Sequence, residues 1–192
     1  MNNLLDASIK IDQYVNIGRP ESTIGRLRKE VRVYDVLDEI GIRYVRVDHA
    51  AAATMEGCRE VDRILGITIC KNLFLCDRQM QNFYLLMMPA EKRFRTAVFS
   101  KLIASSRLSF GPEEYMQRFL DVTPGSVSVM GLMNDKDNRV KLYIDADVLK
   151  KQYVGCHPCI NTTSLRFEST DLINKFLPYV NHNYTTVELP WE

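Results

Sequence analysis

Two apolar stretches on either side of a short polar turn place the strongest constraint on how this chain can fold. Residues 67–75 and 83–88 are mostly apolar, whereas the intervening residues from Asp77 to Asn82 are polar. Short apolar runs bounded by turn-forming residues favour buried strands. We therefore predict a β-hairpin at the centre of the molecule, within a sheet on which the other elements pack.

The rest of the chain alternates between helical and extended patterns. Apolar residues recur at helical spacing from Ile24 to Leu37, so we predict a helix that is capped by Ser22 or Thr23 and ends at Gly41. The same reasoning predicts helices over 56–65, 92–105, 112–119 and 169–177, and strands over 42–47, 140–144, 153–155, 162–167 and 184–189. The predicted fold class is mixed α/β: a single domain with a partly closed, mainly antiparallel β-sheet or barrel flanked by helices.

Size and composition fit one globular domain. The chain has 192 residues, of which 46% are hydrophobic, so its core can form without a metal, disulfide or partner. We predict a domain over residues 21–192 and an N-terminal arm over residues 1–20. The apolar runs are far shorter than the roughly 20 residues of a membrane helix, so we expect a cytoplasmic protein that does not contact a membrane.

Charge and cysteine content narrow the class of partner. A formal net charge of +1 argues against coating nucleic acid along its length, because such binding depends on many phosphate contacts, but it permits a grip on one RNA end. The five cysteines form no evenly paired framework, so we expect reduced thiols. No cofactor is expected.

The first stretch that suggests chemistry lies in the predicted central strand. Lys71 and Asn72 interrupt an otherwise apolar segment. A buried lysine is unfavourable unless it meets an anion or a good acceptor. On these residues alone, an equally good interpretation is that Lys71 lies on the open face of the strand.

The second stretch runs from Thr123 to Ser128 and is followed by Gly131 to Asp135. Glycines let backbone amides approach a ligand closely, and aligned amides can stabilise a developing oxyanion. An ordinary turn that enters a strand explains these residues at least as well.

The third stretch is Cys156-His157-Pro158-Cys159, followed by Asn161 and Thr162. A CxxC pair suggests a redox or zinc site, but a structural zinc site needs a second ligand pair, and a thioredoxin-type pair opens a helix where this one precedes an extended segment. We therefore expect no metal site. His49 and His182 stand alone in the sequence and are expected to be surface or loop histidines.

Taken together and in this order, these stretches resemble the YbaK-like family of prolyl-tRNA editing proteins, with the free-standing deacylases of alanyl-tRNA(Pro) the most similar branch. The likeness runs from about Gly41 to Leu189. The matching pieces are Lys71-Asn-Leu-Phe-Leu75, Arg107-Leu-Ser-Phe110, Pro124-Gly-Ser-Val127, Gly131-Leu-Met-Asn-Asp135, His157-Pro158 and Asn161-Thr162.

The resemblance implies a hydrolase that removes a small amino acid, alanine, from the acceptor end of proline tRNA. Its expected catalytic residues are Lys71, Asn72, Gly125 and His157. The expected substrate-binding residues are Ser126, Val127, Ser128, Val129, Pro158, Asn161 and Thr162. Lys71 would bind the terminal phosphate or sugar, Asn72 would orient the ester or water, and His157 would bound the pocket. A prolyl-tRNA synthetase or an elongation factor is a candidate protein partner.

One residue departs from the family pattern. Val129 occupies the place where the resembling loop usually has proline, which leaves the rigidity of the loop and the choice of substrate open. Two alternatives therefore remain. The protein is either a deacylase of another small residue, on Cys-, Ser- or Thr-tRNA, or a module that binds tRNA or an amino acid and has lost catalysis.

Overall fold

The computed structural model describes residues 11–51 and 55–191, and it confirms the mixed α/β class. Within these ranges, nine strands alternate with short helices. In chain order the strands are β1 (Asn16–Ile17), β2 (Tyr44–Asp48), β3 (Lys71–Asp77), β4 (Phe83–Met88), β5 (Leu108–Phe110), β6 (Val140–Asp145), β7 (Tyr153–Cys156), β8 (Thr163–Glu168) and β9 (Tyr184–Val187).

The strands form two sheets, and within the described ranges neither sheet closes into a barrel. The four-stranded sheet has the order β1-β2-β8-β7 and is antiparallel throughout. The five-stranded sheet has the order β5-β3-β4-β6-β9. The predicted hairpin, β3 with β4, lies at its centre, whereas β4 with β6 and β6 with β9 pair in parallel. The pairing is therefore mainly antiparallel, as predicted.

The helices are short and lie between the strands. They are α1 (Arg28–Glu39), α2 (Met55–Leu65), α3 (Thr96–Leu102), α4 (Glu113–Leu120), a 3-10 helix (Val129–Asn134), α5 (Ala146–Leu149), α6 (Ser169–Asp171), a π-helical turn (Leu172–Phe176) and α7 (Leu177–Tyr179). None of the helices in the described ranges is long and apolar enough to cross a membrane.

The first predicted helix begins later than its periodicity suggested. It starts at Arg28, with Leu27 in extended conformation at its N-cap, whereas Ile24 lies in a preceding turn and is 94% exposed. Neither Ser22 nor Thr23 caps this helix. The short strand β5 was not predicted, because three residues are too few to show an alternating pattern.

Both faces of the five-stranded sheet are covered. Phe74 and Leu85 face the main core, which they share with α1, α4 and the four-stranded sheet. Leu75 and Leu86 face a second cluster that includes Phe99 of α3. Covering on both faces explains why β4 is buried at every position and reads as a continuous apolar run.

The N-terminal segment joins the smaller sheet where it is described. Asn16 and Ile17 pair with β2, and Ile11 forms an isolated bridge with His49. The first ten residues, and with them half of the predicted N-terminal arm, lie outside the described residues. The domain boundary at residue 20 stays a prediction.

Candidate active site

The start of β3 brings the predicted motifs together. The Cys70 N–H donates to the Gly155 carbonyl at 3.3 Å, which attaches this strand to the segment that leads into His157. The Asn72 side-chain oxygen accepts from the Val129 N–H at 3.1 Å, and the Asn72 amide nitrogen donates to the Cys70 carbonyl at 3.2 Å. Asn72 therefore holds the second motif against the first.

Lys71 turns to the other side of the same sheet. Side chains alternate between the faces of a strand, so Lys71 shares its face with Leu73, opposite to Asn72. Its ammonium group donates to the Lys92 carbonyl at 2.9 Å. It lines an open groove of about 520 Å³ together with Leu73, Phe94, Arg95, Thr96, Ala97 and Phe110. The structure thus separates Lys71 from Asn72, although they are adjacent in sequence.

The glycine loop is a tight and internally bonded turn. Gly125 has a φ of +86°, a conformation that glycine adopts at little energetic cost. The buried Ser126 hydroxyl accepts from the Thr123 N–H at 3.0 Å, and the buried Ser128 hydroxyl accepts from the Met130 N–H at 3.2 Å at the start of the 3-10 helix. The loop is therefore fixed by its own side chains, while Val127 stays half-buried.

Val129 explains how this loop keeps its shape without the proline of the resembling family. Its side chain is fully buried in the main core, so it does not line an open site. Its N–H, which a proline would lack, donates to Asn72. The hydrogen bond between Val129 and Asn72 thus fixes the backbone at the position where the related loops have the ring of a proline.

The His157 segment lies against the glycine loop. A Cβ atom built on Gly125 would lie 3.7 Å from the side-chain nitrogen of Asn161, so these two predicted residues are neighbours. Pro158 is buried and Thr162 is exposed, and the Thr162 carbonyl accepts from the His49 N–H at 2.9 Å. The structure therefore brings together Asn72 and residues 125–129 and 157–162.

The hydrogen bonds of His157 determine which ring nitrogen carries the proton. Nδ1 lies 2.9 Å from the Thr163 carbonyl, which can only accept, so Nδ1 donates and Nε2 of the neutral ring is left as an acceptor. Burial lowers the pKa of His157 below its ordinary value, the bond to Thr163 opposes this shift, and neighbouring His49 lowers the pKa further. The ring is therefore neutral at pH 7.

Comparison with known proteins identifies the family. The family model described as the aminoacyl-tRNA editing domain matches residues 49–175, about two thirds of the chain. The chain belongs to the aminoacyl-tRNA editing domain family. The family match makes this editing domain an aminoacyl-tRNA deacylase, a hydrolase of the ester bond. The matched range contains all eleven predicted site residues, whose roles stay predictions.

Relatives and solved structures agree with this assignment. The editing domain is 29% identical to the prolyl-tRNA editing protein ProX of Acetoanaerobium sticklandii, over 80% of this chain and 93% of that protein. It is 28% identical to the prolyl-tRNA synthetase associated domain-containing protein 1 of Xenopus laevis, over 83% and 95%. A crystal structure of a candidate trans-editing enzyme for prolyl tRNA synthetase has the same fold, with a TM-score of 0.62 and 16% identity over 85% and 99%.

The two cysteines of the editing domain's CxxC motif are core residues. Cys156 and Cys159 are fully buried free thiols, and burial raises the pKa of both, that of Cys159 to about 12. Metal binding and thiol exchange need the thiolate. Among residues 11–51 and 55–191, no three His, Cys, Asp or Glu side chains are grouped so that they could hold a metal ion.

His49 and Ser164 lie next to His157, which sequence reasoning did not predict. His49 is buried, not on the surface, and its Nδ1 donates to the Ala50 carbonyl at 2.9 Å, so its Nε2 accepts from the Ser164 hydroxyl, also at 2.9 Å. The Ser164 oxygen lies 3.3 Å from Nδ1 of His157. The Ser164 hydroxyl therefore links the His49 ring to the Nδ1 side of the His157 ring.

His182 lies in a loop, in agreement with the expectation of a surface or loop position, but it is buried. Its Nε2 lies 3.1 Å from the Asp135 carbonyl, in a connection between the turn after the 3-10 helix and the C-terminal helical segment. Its burial and this bond place His182 in the core of the editing domain. A histidine in a polar turn carries no local signal of this burial.

A buried ion network supports the loop that carries His157. The Thr163 hydroxyl donates to Asp48 at 2.9 Å, and Asp48 also accepts from Arg26 and Arg46. Burial alone would raise the pKa of Asp48, but these hydrogen bonds lower it. Glu30 of α1 joins the network through Arg26. No sequence pattern indicated it, because its members come from four separate segments.

Proposed function

We propose that this editing domain is a trans-acting deacylase that hydrolyses mischarged Ala-tRNA(Pro) to alanine and free tRNA. The observation that carries the proposal is the cluster in which Asn72 holds the glycine loop through Val129 and Asn161 lies beside Gly125, in the segment whose His157 keeps an unprotonated Nε2. The names of the two relatives, which refer to prolyl-tRNA editing and prolyl-tRNA synthetase, support proline tRNA as the carrier.

The proposed reaction is a direct hydrolysis without a covalent intermediate. Water attacks the ester carbonyl carbon, the bond from that carbon to the ribose oxygen breaks, and the ribose oxygen takes up a proton. A hydroxyl of the tRNA would assist the water, as the family resemblance implies. His157 would position the water or the substrate through Nε2, and Asn161 and Thr162 would support its loop.

The glycine loop would stabilise the negative charge that develops on the carbonyl oxygen. Several amide groups of residues 125–131 already donate within the protein, namely those of Ser126, Val129, Met130 and Gly131. We therefore assign the carbonyl oxygen to the amides of Gly125, Val127 and Ser128. A preorganised donor of this kind contributes about 10²- to 10³-fold in rate.

Alanine is the proposed amino acid because of a size problem in the synthetase. A pocket that fits proline cannot reject a smaller side chain sterically, and each missing methylene is worth only about 1–3 kcal/mol of binding. A second, smaller site can hydrolyse the ester of alanine with the tRNA and exclude that of proline. Cys-, Ser- and Thr-tRNA are the alternative substrates, since the same argument covers any small side chain.

A deacylation panel tests the substrate. The purified protein should release amino acid faster from Ala-tRNA(Pro) than from Ser-, Cys- or Pro-tRNA(Pro). Rapid loss of Pro-tRNA(Pro) would contradict the size argument. A preference for another small residue would change the proposed amino acid from alanine to that residue and leave the assignment as a deacylase unchanged.

Two lysine variants test the site. Lys71→Ala should abolish deacylation, because Lys71 is proposed to bind the terminal phosphate or sugar. Lys136→Ala is a matched control on an exposed turn at the other end of the five-stranded sheet, and it should be fully active. Equal activity of the two variants would refute the assignment of Lys71.

The alternative of a binding module without catalysis rested on Val129. The hydrogen bond from its N–H to Asn72 speaks against that alternative, because it holds the loop in place without the proline. The alternative makes a separate prediction: no ester in a panel of mischarged tRNAs would be lost faster with protein than in buffer. A synthetase or elongation factor stays a candidate source of tRNA specificity.

A further inference from the structure

An aromatic and basic groove has Lys71 in its lining, and its aromatic residues have no role in the reaction described above. It lies on the Lys71 face of the five-stranded sheet, between β3, β5 and the start of α3, and we call it the Phe110 groove. Its volume of about 520 Å³ lies within the range of ligand sites in proteins. Its lining combines two phenylalanines with Lys71 and Arg95.

Phe110 is exposed in a way that core packing does not explain. Within β5, Leu108 is buried on the same face, whereas Phe110 is 59% exposed at the end of the strand. Its ring contacts Phe94 at 6.0 Å between centroids, with 60° between the ring planes. Phe94 thus contacts the Phe110 ring, while more than half of Phe110 stays exposed.

The groove also carries positive charge where a nucleic acid backbone would pass. The Lys71 ammonium group uses one of its three N–H donors on the Lys92 carbonyl. Arg95 also lines the groove. Cations beside an open aromatic ring are the combination by which proteins bind single-stranded nucleic acid, because the ring stacks on a base and the cation contacts a phosphate.

The groove and the glycine loop lie on opposite faces of the five-stranded sheet, and both adjoin the start of β3. Lys71 faces the groove and the next residue, Asn72, faces the glycine loop. A nucleotide whose ester lies at the loop would place its base, or that of the nucleotide before it, in the groove by passing around the start of β3, where Lys71 and Asn72 are consecutive. This step rests on the proposed function.

We propose that the Phe110 groove binds a nucleobase of the unpaired 3′ end of the tRNA, stacked on Phe110, with the adjoining phosphate at Lys71. The groove would then fix the position of the ester relative to Gly125 and His157. Phe110 is accordingly a binding residue and takes no part in bond breaking.

Binding of an uncharged RNA tests the groove separately from catalysis. The probe is an acceptor-stem microhelix of proline tRNA with its unpaired CCA end, compared with three versions that each lack one base of that end. Because stacking is worth about 1–3 kcal/mol per base, Phe110→Ala should weaken binding of the intact probe by roughly 5- to 150-fold. It should leave unchanged the binding of the probe that lacks the stacked base.

Three variants separate stacking from other effects. Phe110→Tyr keeps the ring and should bind like the unaltered protein, whereas Phe110→Leu keeps an apolar side chain without a ring and should bind like Phe110→Ala. Tyr179→Ala removes a similarly exposed aromatic ring from α7 and should bind normally. Thermal unfolding of all variants checks that each is folded, which the exposure of Phe110 favours.

The results distinguish the groove from the proposed reaction. Equal affinity of Phe110→Ala and the unaltered protein for the intact probe refutes the groove, even if the protein hydrolyses Ala-tRNA(Pro). An equal loss of affinity for all four probes also refutes it, because no base would then be the partner. A stacked base found in a protein that hydrolyses no aminoacyl ester would support the groove and refute the proposed reaction.

Discussion

The protonation state of His157 leads to a prediction about stability. Burial lowers the pKa of this histidine in the folded protein, whereas the unfolded chain has the ordinary value of about 6.5. Above that pH both states are neutral at this residue. As the pH falls below it, the unfolded chain takes up a proton that the folded protein resists, so the free energy of unfolding decreases.

The magnitude follows from proton linkage. A single histidine changes the free energy of unfolding by at most about 1.4 kcal/mol per pH unit, over the interval between its folded and unfolded pKa values. The matched variant is His157→Asn, because its amide N–H can replace the Nδ1 donor to Thr163 but does not titrate. The difference in pH dependence between the two proteins isolates the histidine from all carboxylates.

Urea denaturation at several values between about pH 5 and 8 measures this difference, because the range spans histidine titration. Stability of the unaltered protein should fall more steeply below pH ~6.5 than that of His157→Asn, and the two curves should run parallel above it. Parallel curves over the whole range would refute the lowered pKa. A steeper fall in the stability of His157→Asn would mean that folding raises the pKa of His157 and does not lower it.

Three further substitutions test the surroundings of the site. Asn72→Ala leaves the N–H of Val129 buried without an acceptor, so it should lower the free energy of unfolding by about 1–3 kcal/mol in urea and slow deacylation; unchanged stability would show that the bond contributes nothing. Gly125→Ala has room for its Cβ but a φ of +86°, so calorimetry should show a loss of about 1–2 kcal/mol, and a gain would contradict the strain argument. Lys92→Met leaves Asp145 buried without its ion-pair partner and should destabilise the fold by about 3–5 kcal/mol in urea; a neutral result would mean that the backbone donors to Asp145 suffice.

Local patterns predicted much of the fold. The hairpin of β3 and β4, the alternating strand β6 and the helix α4 each occupy a continuous stretch whose apolar period identifies it. The parallel pairing of β4 with β6 could not be predicted in this way, because some fifty residues separate the two strands along the chain. Which strands become neighbours depends on how the helices between them pack.

The candidate site likewise has features that the sequence predicted and features that it did not. Its residue types and their order were evident from the three motifs, and the structure places Asn72, Gly125 and His157 in one region. Their roles there remain proposals. His49 and Ser164 could not be predicted, since they are 115 residues apart and each alone resembles an ordinary buried polar residue.

The sequence by itself determined the class of fold, the family and the chemical groups available to the site, because motifs and periodicity are properties of neighbouring residues. Only the tertiary structure decided what each group faces. It directs Lys71 into an aromatic groove and Asn72 to the glycine loop, and it gives the N–H of Val129 an acceptor 57 residues away. Side-chain direction and long-range hydrogen bonds follow from how the strands pair and pack, and a residue's neighbours in sequence do not specify them.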